Sequence, residues 1–489
     1  MPETQASSTA TTTNLEDDAQ LLDRIVAVSP VQGKDRLAEM LRPFIDEVMK
    51  KQVTIDKDVE RTIGNYIARL DHLISLQLNE VLHHPDFQKL ESSWRGLRYL
   101  MDQSETGTLL KIRVLNCTKK EIQRDIERAS EFDQSALFKK VYTEQFDQYG
   151  GESFGVLIGD FEFGKHPQDI ELLEGISKVA AAAHAPFISA AAPDLLGLRN
   201  WTELPDPRDL AVKVNTIEFA KWRSFRESED SRYVALCLPR VLGRLPYGKE
   251  TKPIDGFDYE ENVKGAEHSK YLWMNAAYAL GTRMSNAFSK YGMCVAMRGH
   301  KGGGRVEGLP QHIFETERGE KEAKCPTEVL IADRREMELA NLGFVPLLNA
   351  KGTDYASFFS VQSTQKPKVY YEKAATANAA LSAQLQYLMA CCRFAHYLRA
   401  MMREEIGSYM SREQAESFLN RWITNYVTPD PTASQEAKAE RPLREARVDV
   451  TDDPAKPGVY KAVAYLLPHF QLDKLTVSLR LVAELPKGQ

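Results

Sequence analysis

The chain has 489 residues, a net charge of −6, 43% hydrophobic residues and 27% charged residues. These values exclude a wholly disordered chain and a chain-wide basic field for nucleic acid or anionic membrane, and they suit two to four domains of roughly 100–200 residues each. No apolar run reaches the ~18 residues of a membrane span, and "MPETQASSTATTTNLEDDAQ" lacks the basic start and apolar core of a secretory signal, so neither is expected. The cysteines Cys117, Cys237, Cys294, Cys325, Cys391 and Cys392 form no C-x-x-C pair and are too sparse for a disulfide scaffold.

Residues 1–18 are Ser/Thr- and acid-rich and are expected to be a disordered tail. In "DDAQLLDRIVAVSP", Asp17 and Gln20 have capping-box spacing, Leu21, Leu22, Ile25 and Val26 share a helical face, and Pro30 closes the segment. So short a helix is marginal alone and needs a surface, on this chain or on a partner. Residues 56–83 read as a long amphipathic helix through Val59, Ile63, Ile67, Leu70, Ile74 and Val81. After Pro85 a second helix carries Phe87, Leu90, Trp94, Leu97 and Met101 at 3-4-3-4 spacing, so a helical hairpin is predicted. His83 and His84 between them have no Cys, Asp or Glu at ligand spacing.

"TLLKIRVLN", "SFGVLIGDFEF", "PFISAAA" and "SRYVALCLP" read as strands. A helix from Pro167 through "DIELLEGISKVAAAAHA" joins the second to the third, a βαβ unit that predicts a parallel pair. "SKYLWMNAAYALGTRMSNAFSKYG" is a helix ending at Gly292, and "MCVAMRG", "TEVLIAD" and "FVPLLNAK" are further strands, with the short helix "RREMELANLG" before the last. A long helix is predicted along Leu381, Leu385, Leu388, Cys392, Ala395, Leu398, Met402 and Ile406, stopped by Gly407. "TPDPTASQEAKAERPLREA" reads as a linker. In the final "KLTVSLRLVAEL", Leu475, Val477, Leu479 and Leu481 alternate with Thr476, Ser478 and Arg480, a strand by its period of two. The fold class is therefore mixed α/β and multi-domain.

"MRGHKGGGRVEGLP" is the best nucleotide candidate, with four glycines, Gly299, Gly302, Gly303 and Gly304, beside Arg298, Lys301 and Arg305. A Walker loop requires G-x-x-x-x-G-K-[S/T] opening a helix. Here Lys301 precedes the glycine cluster, no Ser or Thr is in place for magnesium, and Gly308 and Pro310 break any following helix. A tight turn with positive φ fits better than a phosphate cradle. Nucleophile elbow, H-E-x-x-H and EF-hand patterns are absent. The residues alone describe an interaction or assembly protein with no visible catalytic equipment, no cofactor and no metal site.

Several segments carry a family resemblance, in order, from about Asp18 to the end: "LLDRIVAVS", "FQKLESSWRGLRYLM", "FGVLIGDFEF", "MRGHKGGGRVEGLPQHIF", "PTEVLIADRREMELANLGFVPL", "TDYASFFSVQSTQKP", "ATANAALSAQLQYLMACCRFAHYLR" and "KPGVYKAVAYLLPHFQLDKLTVSLRLVAELP". The sequence resembles the large subunit of the contractile sheath of the bacterial type VI secretion system (TssC/VipB). It departs at His300 and Lys301, where the family has more neutral or acidic residues.

The resemblance implies a cytoplasmic, non-enzymatic subunit in a sheath docked to an envelope-anchored baseplate. It implies pairing with a small sheath subunit (TssB/VipA-like), neighbouring large subunits, enclosed inner-tube hexamers (Hcp-like) and a AAA+ disassembly ATPase (ClpV-like). The domains expected are a tail (1–18), an N-terminal segment with the ATPase-recognition helix (19–55), a helical hairpin contacting the small subunit (56–105), two α/β sheath domains (106–295 and 296–428), and a linker with a strand-exchange segment (429–489). Leu21, Leu22, Ile25 and Val26 would be read by the ATPase. Phe87, Leu90, Trp94 and Leu97 would meet the small subunit, with Trp94 either an anchor or intrachain core. Leu475, Val477, Leu479 and Leu481 would augment a neighbour's sheet. A phage-tail or tailocin sheath and a nucleotide-binding α/β enzyme are the competing readings.

Overall fold

A computed structural model describes residues 59–265, 267–316, 318–452 and 460–471. The expected tail, the helix at 21–26 and the terminal strand at 475–481 lie outside them. The described residues divide into two compact units, 59–81 with 247–262, and 82–246 with 263–471.

In the first unit, α1 (Val59–Leu82) is the helix predicted there. Its Asn79 Oδ1 accepts from the Tyr259 hydroxyl and the Asn262 amide, both at 3.0 Å, which fastens the 247–262 segment to the helix. Ile67, Leu73, Leu76 and Val81 remain exposed.

The second unit is organised by a six-stranded sheet. Its strands are β1 (Leu157–Phe163), β2 (Phe187–Ala191), β3 (Val234–Leu238), β4 (Arg305–Val306), β5 (Phe344–Asn349) and β6 (Ala356–Phe358), in the order β1-β2-β3-β5-β6-β4. β1, β2, β3 and β5 run parallel, as the βαβ reading requires for the first pair, and β6 is antiparallel to both its neighbours, β5 and β4. β2 and β3 are buried along their whole length, which is why they read as continuous apolar runs. Their side chains alternate between two cores. Phe187, Val234 and Leu236 meet Leu172, Leu173 and Ile176 of the crossover helix (Pro167–Ala183). Ile188, Ala235 and Cys237 meet Ala277, Leu280 and Met284 of the helix Ala276–Tyr291. That second helix starts on Asn275, whose side chain accepts from the Ala277 amide, and stops at Gly292 with φ 68°.

A third core joins the helix Leu385–Glu404, the helix Arg412–Thr424 and a hairpin of β7 (Leu443–Asp452) and β8 (Tyr460–Pro468) through Phe394, Leu419, Ile423, Leu443 and Val448. Asn420 clamps helix to strand: its Nδ2 donates to Val448 O at 2.7 Å and its Oδ1 accepts from the Val448 amide at 2.9 Å.

The structure differs from expectation in five places. "TLLKIRVLN" begins in a bend and belongs to no ladder among the described residues. "MCVAMRG" and "TEVLIAD" are not strands, although Met293, Val295, Met297 and Ile331 are buried: "TEVLIAD" makes a single antiparallel bridge, Thr327 to Val241, and the rest of these apolar runs reflects core side chains. The long helix is broken at Ala383–Gln384, because Ser363 N donates to Ala383 O (2.9 Å) and Leu385 N to Val361 O (3.0 Å), a strand-like exchange that draws the backbone out of the helix. The expected linker holds a helix, Gln435–Glu440, and the start of β7.

Candidate functional site

The helix that follows Pro85, α2 (Pro85–Asp102), is mounted with its polar side inward. Pro85 sits in its first turn, and His84 is its N-cap, with Nδ1 accepting from the Asp86 amide. Apart from the buried Leu100, the inward face is short, small or polar. Ser92 Oγ donates to Trp273 O (2.9 Å), and Gly96 lies so close to the Tyr278 ring that a Cβ would stand 2.3 Å from it. Glu91 accepts from both Arg244 Nε and Arg95 Nε at 2.7 Å. Burial raises the Glu91 carboxyl, but the Arg244 and Arg95 hydrogen bonds and charges outweigh it and hold it below the usual carboxylate range.

The predicted apolar stripe therefore faces away from the core. Phe87 and Leu97 are half-buried, Leu90 and Met101 are exposed, and Trp94 is 66% exposed. All four predicted small-subunit residues lie on this one helix face. They do not build a core between two helices, because α2 packs on the Ala276–Tyr291 helix with its other side. Met101 extends the stripe, as the same 3-4 spacing indicates. A contiguous exposed apolar face of this kind marks an interaction surface.

The glycine loop is closed on itself. Gly299 N donates to Phe358 O (2.7 Å), Gly304 N to Gly299 O (2.9 Å), and Phe358 N to Gly304 O (3.0 Å). Two of the amides that a phosphate cradle would use, those of Gly299 and Gly304, are thus spent on main-chain carbonyls. Gly299 and Gly303 have φ of 74° and 93°, and a Cβ on Gly304 would stand 2.6 Å from Phe358 O and 2.7 Å from Gly299 N. The three cations do not converge. Arg298 is buried, Arg305 lies over the Tyr355 ring at 4.2 Å and 2.9 Å from Glu307, and Lys301 is exposed. Gly304→Ala is expected to lower stability by about 1–3 kcal/mol, because backbone must move, whereas Lys301→Ala should stay within about 0.5 kcal/mol. Urea unfolding midpoints compare the two; equal midpoints would show that the glycine is not needed for this turn.

A charge cluster that the sequence did not disclose sits at the carboxyl ends of β1 and β3. Glu328, with a fully buried side chain, accepts from Arg240 Nε (2.7 Å) and Nη2 (2.6 Å) and lies 2.9 Å from His268 Nε2. Burial raises its carboxyl, but the His268 and Arg240 hydrogen bonds and the Arg240 charge leave it below the usual range. Its signal in sequence was an acid inside the apolar run "TEVLIAD". Leu21, Leu22, Ile25 and Val26, and Leu475, Val477, Leu479 and Leu481, lie outside the described residues.

Residues 64–365 match the model of the EvpB/VC_A0108 tail sheath N-terminal domain, and residues 374–485 match that of the tail sheath gpW/gp25-like domain of the same family. The chain belongs to the EvpB/VC_A0108 tail sheath family. It is 46% identical to the type VI secretion system sheath protein TssC1 of Pseudomonas aeruginosa over 490 residues, spanning 100% of this chain and 98% of that protein. Among solved structures it is similar to a chain of the anti-feeding prophage baseplate (TM-score 0.39, 8% identity, 76% of this chain and 83% of that one). It is also similar to a chain of the contracted anti-feeding prophage sheath (TM-score 0.27, 10% identity, 63% and 66%). As a tail sheath family member the chain is a structural sheath subunit. No described helix is long and apolar enough to cross a membrane.

Proposed function

We propose that this chain is the large subunit of a type VI secretion sheath, working in the cytoplasm as an obligate partner of a small sheath subunit. The observation that carries the pairing is α2: a helix of a sheath protein that buries Gly96 and Leu100, turns Glu91 and Ser92 inward, and offers Phe87, Leu90, Trp94, Leu97 and Met101 to a second chain. Heterodimers then polymerise around inner-tube hexamers on a baseplate. A heterologous contact that does not close on itself generates such a helical lattice. Contraction runs downhill through added burial between subunits, and nucleotide enters only when a AAA+ ATPase recycles them. The apolar face Leu21, Leu22, Ile25 and Val26 is the segment that ATPase reads. The alternating strand Leu475, Val477, Leu479 and Leu481 ties neighbours by sheet augmentation, which tolerates rotation of the bodies it joins.

Co-expression with the small subunit, followed by electron microscopy, tests the scheme. The full chain should give tubes of cogwheel cross-section. Removal of residues 472–489 should leave soluble heterodimers without tubes, and removal of 1–30 should leave tubes that no longer bind the ATPase. Tubes from the C-terminal truncation, or absence of tubes from the full chain, would refute it.

A further inference from the structure

α1 is occupied on one side. Ala68, Asp71, His72 and Ser75 line one cleft with Asp258 and Glu260, and Asn79 holds Tyr259 and Asn262, so the 247–262 segment lies along the polar side of the helix. The opposite side is apolar. Its Ile67, Leu70, Leu73, Ile74 and Val81 are 37–52% exposed, and none of them belongs to an apolar core among the described residues. At about 100° per residue they span roughly 120° of the helix surface, centred away from the polar side. A stripe of that width is the kind that a second helix covers.

The sequence just before α1 carries the matching pattern. In "DRLAEMLRPFIDEVMKKQVTIDKD", Leu37, Leu41, Phe44, Ile45, Val48 and Met49 recur at three- and four-residue spacing. Pro43 suits a first helical position, Asp46 and Glu47 come early, and Lys50 and Lys51 come late, the charge order that a helix dipole favours. A helix over 43–53 would be shorter than the ~12–15 residues that hold together alone, so it needs a surface. Only residues 54–58 separate it from Val59, a length within the usual helix-to-helix connection, and so short a connection makes the two helices antiparallel. Folded back at about 1.5 Å per residue, 43–53 runs level with 59–69 of α1, and 37–42 continue to about Ile74. Ile45 then stands near Ile67, and Leu41 near Leu70.

We propose that residues 37–53 fold back as a helical segment onto the Ile67–Ile74 face of α1, an intrachain hairpin that covers this face whether or not a partner is bound. Two apolar faces that each lack a partner are joined by a five-residue connection. The tether holds one beside the other at an effective concentration of about millimolar, whereas a second chain has to arrive by diffusion. Left apart, both would stay in water, at about 25 cal/mol for each Å² of apolar surface. The two stripes also agree in length and in direction. The inference stands independently of the heterodimer reading, and it leaves α2 as the helix whose apolar face is open to the small subunit.

Hydrogen exchange on the full-length chain, alone at two concentrations and co-purified with the small subunit, tests this. Amides of 47–53 should exchange at least ten-fold slower than in an unfolded chain in all three samples. Exchange at unfolded rates throughout overturns the hairpin. Protection only beside the small subunit assigns the α1 face to that partner, and protection that grows with concentration assigns it to a second copy; either result overturns the hairpin too. Ile67→Asp combined with Leu70→Asp should release 47–53 while 234–238 in the central sheet stay protected, and Ile67→Met with Leu70→Met should keep the protection. Protection that survives the aspartates places the segment elsewhere and overturns the proposal. The reciprocal pair, Ile45→Asp with Val48→Asp, leaves α1 itself unaltered. It should speed exchange of amides 63–74 at least three-fold, and unchanged exchange there overturns the hairpin as well.

Discussion

Trp94→Asp is expected to abolish capture of the small sheath subunit while leaving the chain's own unfolding midpoint unchanged. The ring is 66% exposed and belongs to none of the cores, so placing a carboxylate there removes little intrachain packing. On the partner's side the effect is large. A buried aromatic anchor at the centre of an interface contributes about 2–4 kcal/mol, roughly 30- to 900-fold in Kd, and an unpaired charge adds a desolvation cost. Affinity capture and calorimetric titration of the purified subunits measure it. A Kd within about three-fold of wild type, or a thermal midpoint lowered as for a core mutation, would return Trp94 to a purely intrachain role. Leu90→Asp, one turn earlier on the same face, should act in the same direction.

The second large effect is on stability. Arg240→Ala removes a bidentate partner from Glu328 and leaves the buried carboxylate with His268 alone. Breaking a buried pair from one side costs about 3–5 kcal/mol. The Arg240 side chain is 34% exposed, so water can enter the vacated space, and the lower end of that range is expected. Arg240→Met combined with Glu328→Leu should recover part of the loss, because the buried Glu328 charge is gone while Glu162, 4.0 Å from Arg240 Nη1, still loses its cation. Urea unfolding of the single and double variants measures the cycle. A loss below about 1 kcal/mol in Arg240→Ala would show that His268 and solvent suffice.

The same cluster predicts acid lability. Glu328 in the fold holds its proton less tightly than in the unfolded chain, so its contribution is complete above the unfolded carboxylate pKa and is lost as pH falls through the lower folded value. His396 acts earlier. Burial pushes it down to about 4, against the hydrogen bond to Ala183 O and with repulsion from Arg393, His184 and Arg399 adding to the shift. The unfolded chain takes up that proton near pH 6.5, so stability should decline by about 1.4 kcal/mol per pH unit from there toward the folded value. An unfolding midpoint constant from pH 7 to 5 would contradict this.

The sheet's interior was legible because local pattern and tertiary role agree. "PFISAAA" and "SRYVALCLP" are strands buried on both faces, and the Pro167 helix has to cross between parallel neighbours. Legibility failed where the partner of a pattern is distant or absent. "TLLKIRVLN" has the alternation of a strand, but no neighbour among the described residues supplies its ladder. β7 went unread because Arg444, Glu445, Arg447 and Asp449 make "LREARVDVTD" look like polar linker, although Leu443, Val448 and Val450 point into a core. For α2, spacing located the apolar stripe but not its direction. That was decided by Gly96, which lets the other side approach the Tyr278 ring.

The order of the central strands also sets a timetable for synthesis. β3 pairs with β5 through Leu236 and Phe344, a separation of 108 positions (344 minus 236), whereas β1, β2 and β3 follow one another closely. At roughly 5–20 residues per second, β3 leaves the ribosome about 5–20 s before the strand that will cover its edge. For that interval the nascent chain carries a fully apolar strand with an open side, a hazard for aggregation that is greatest when many ribosomes translate the message at once. Slower translation, or a chaperone that shields the first three strands, is therefore part of what this topology asks of the cell.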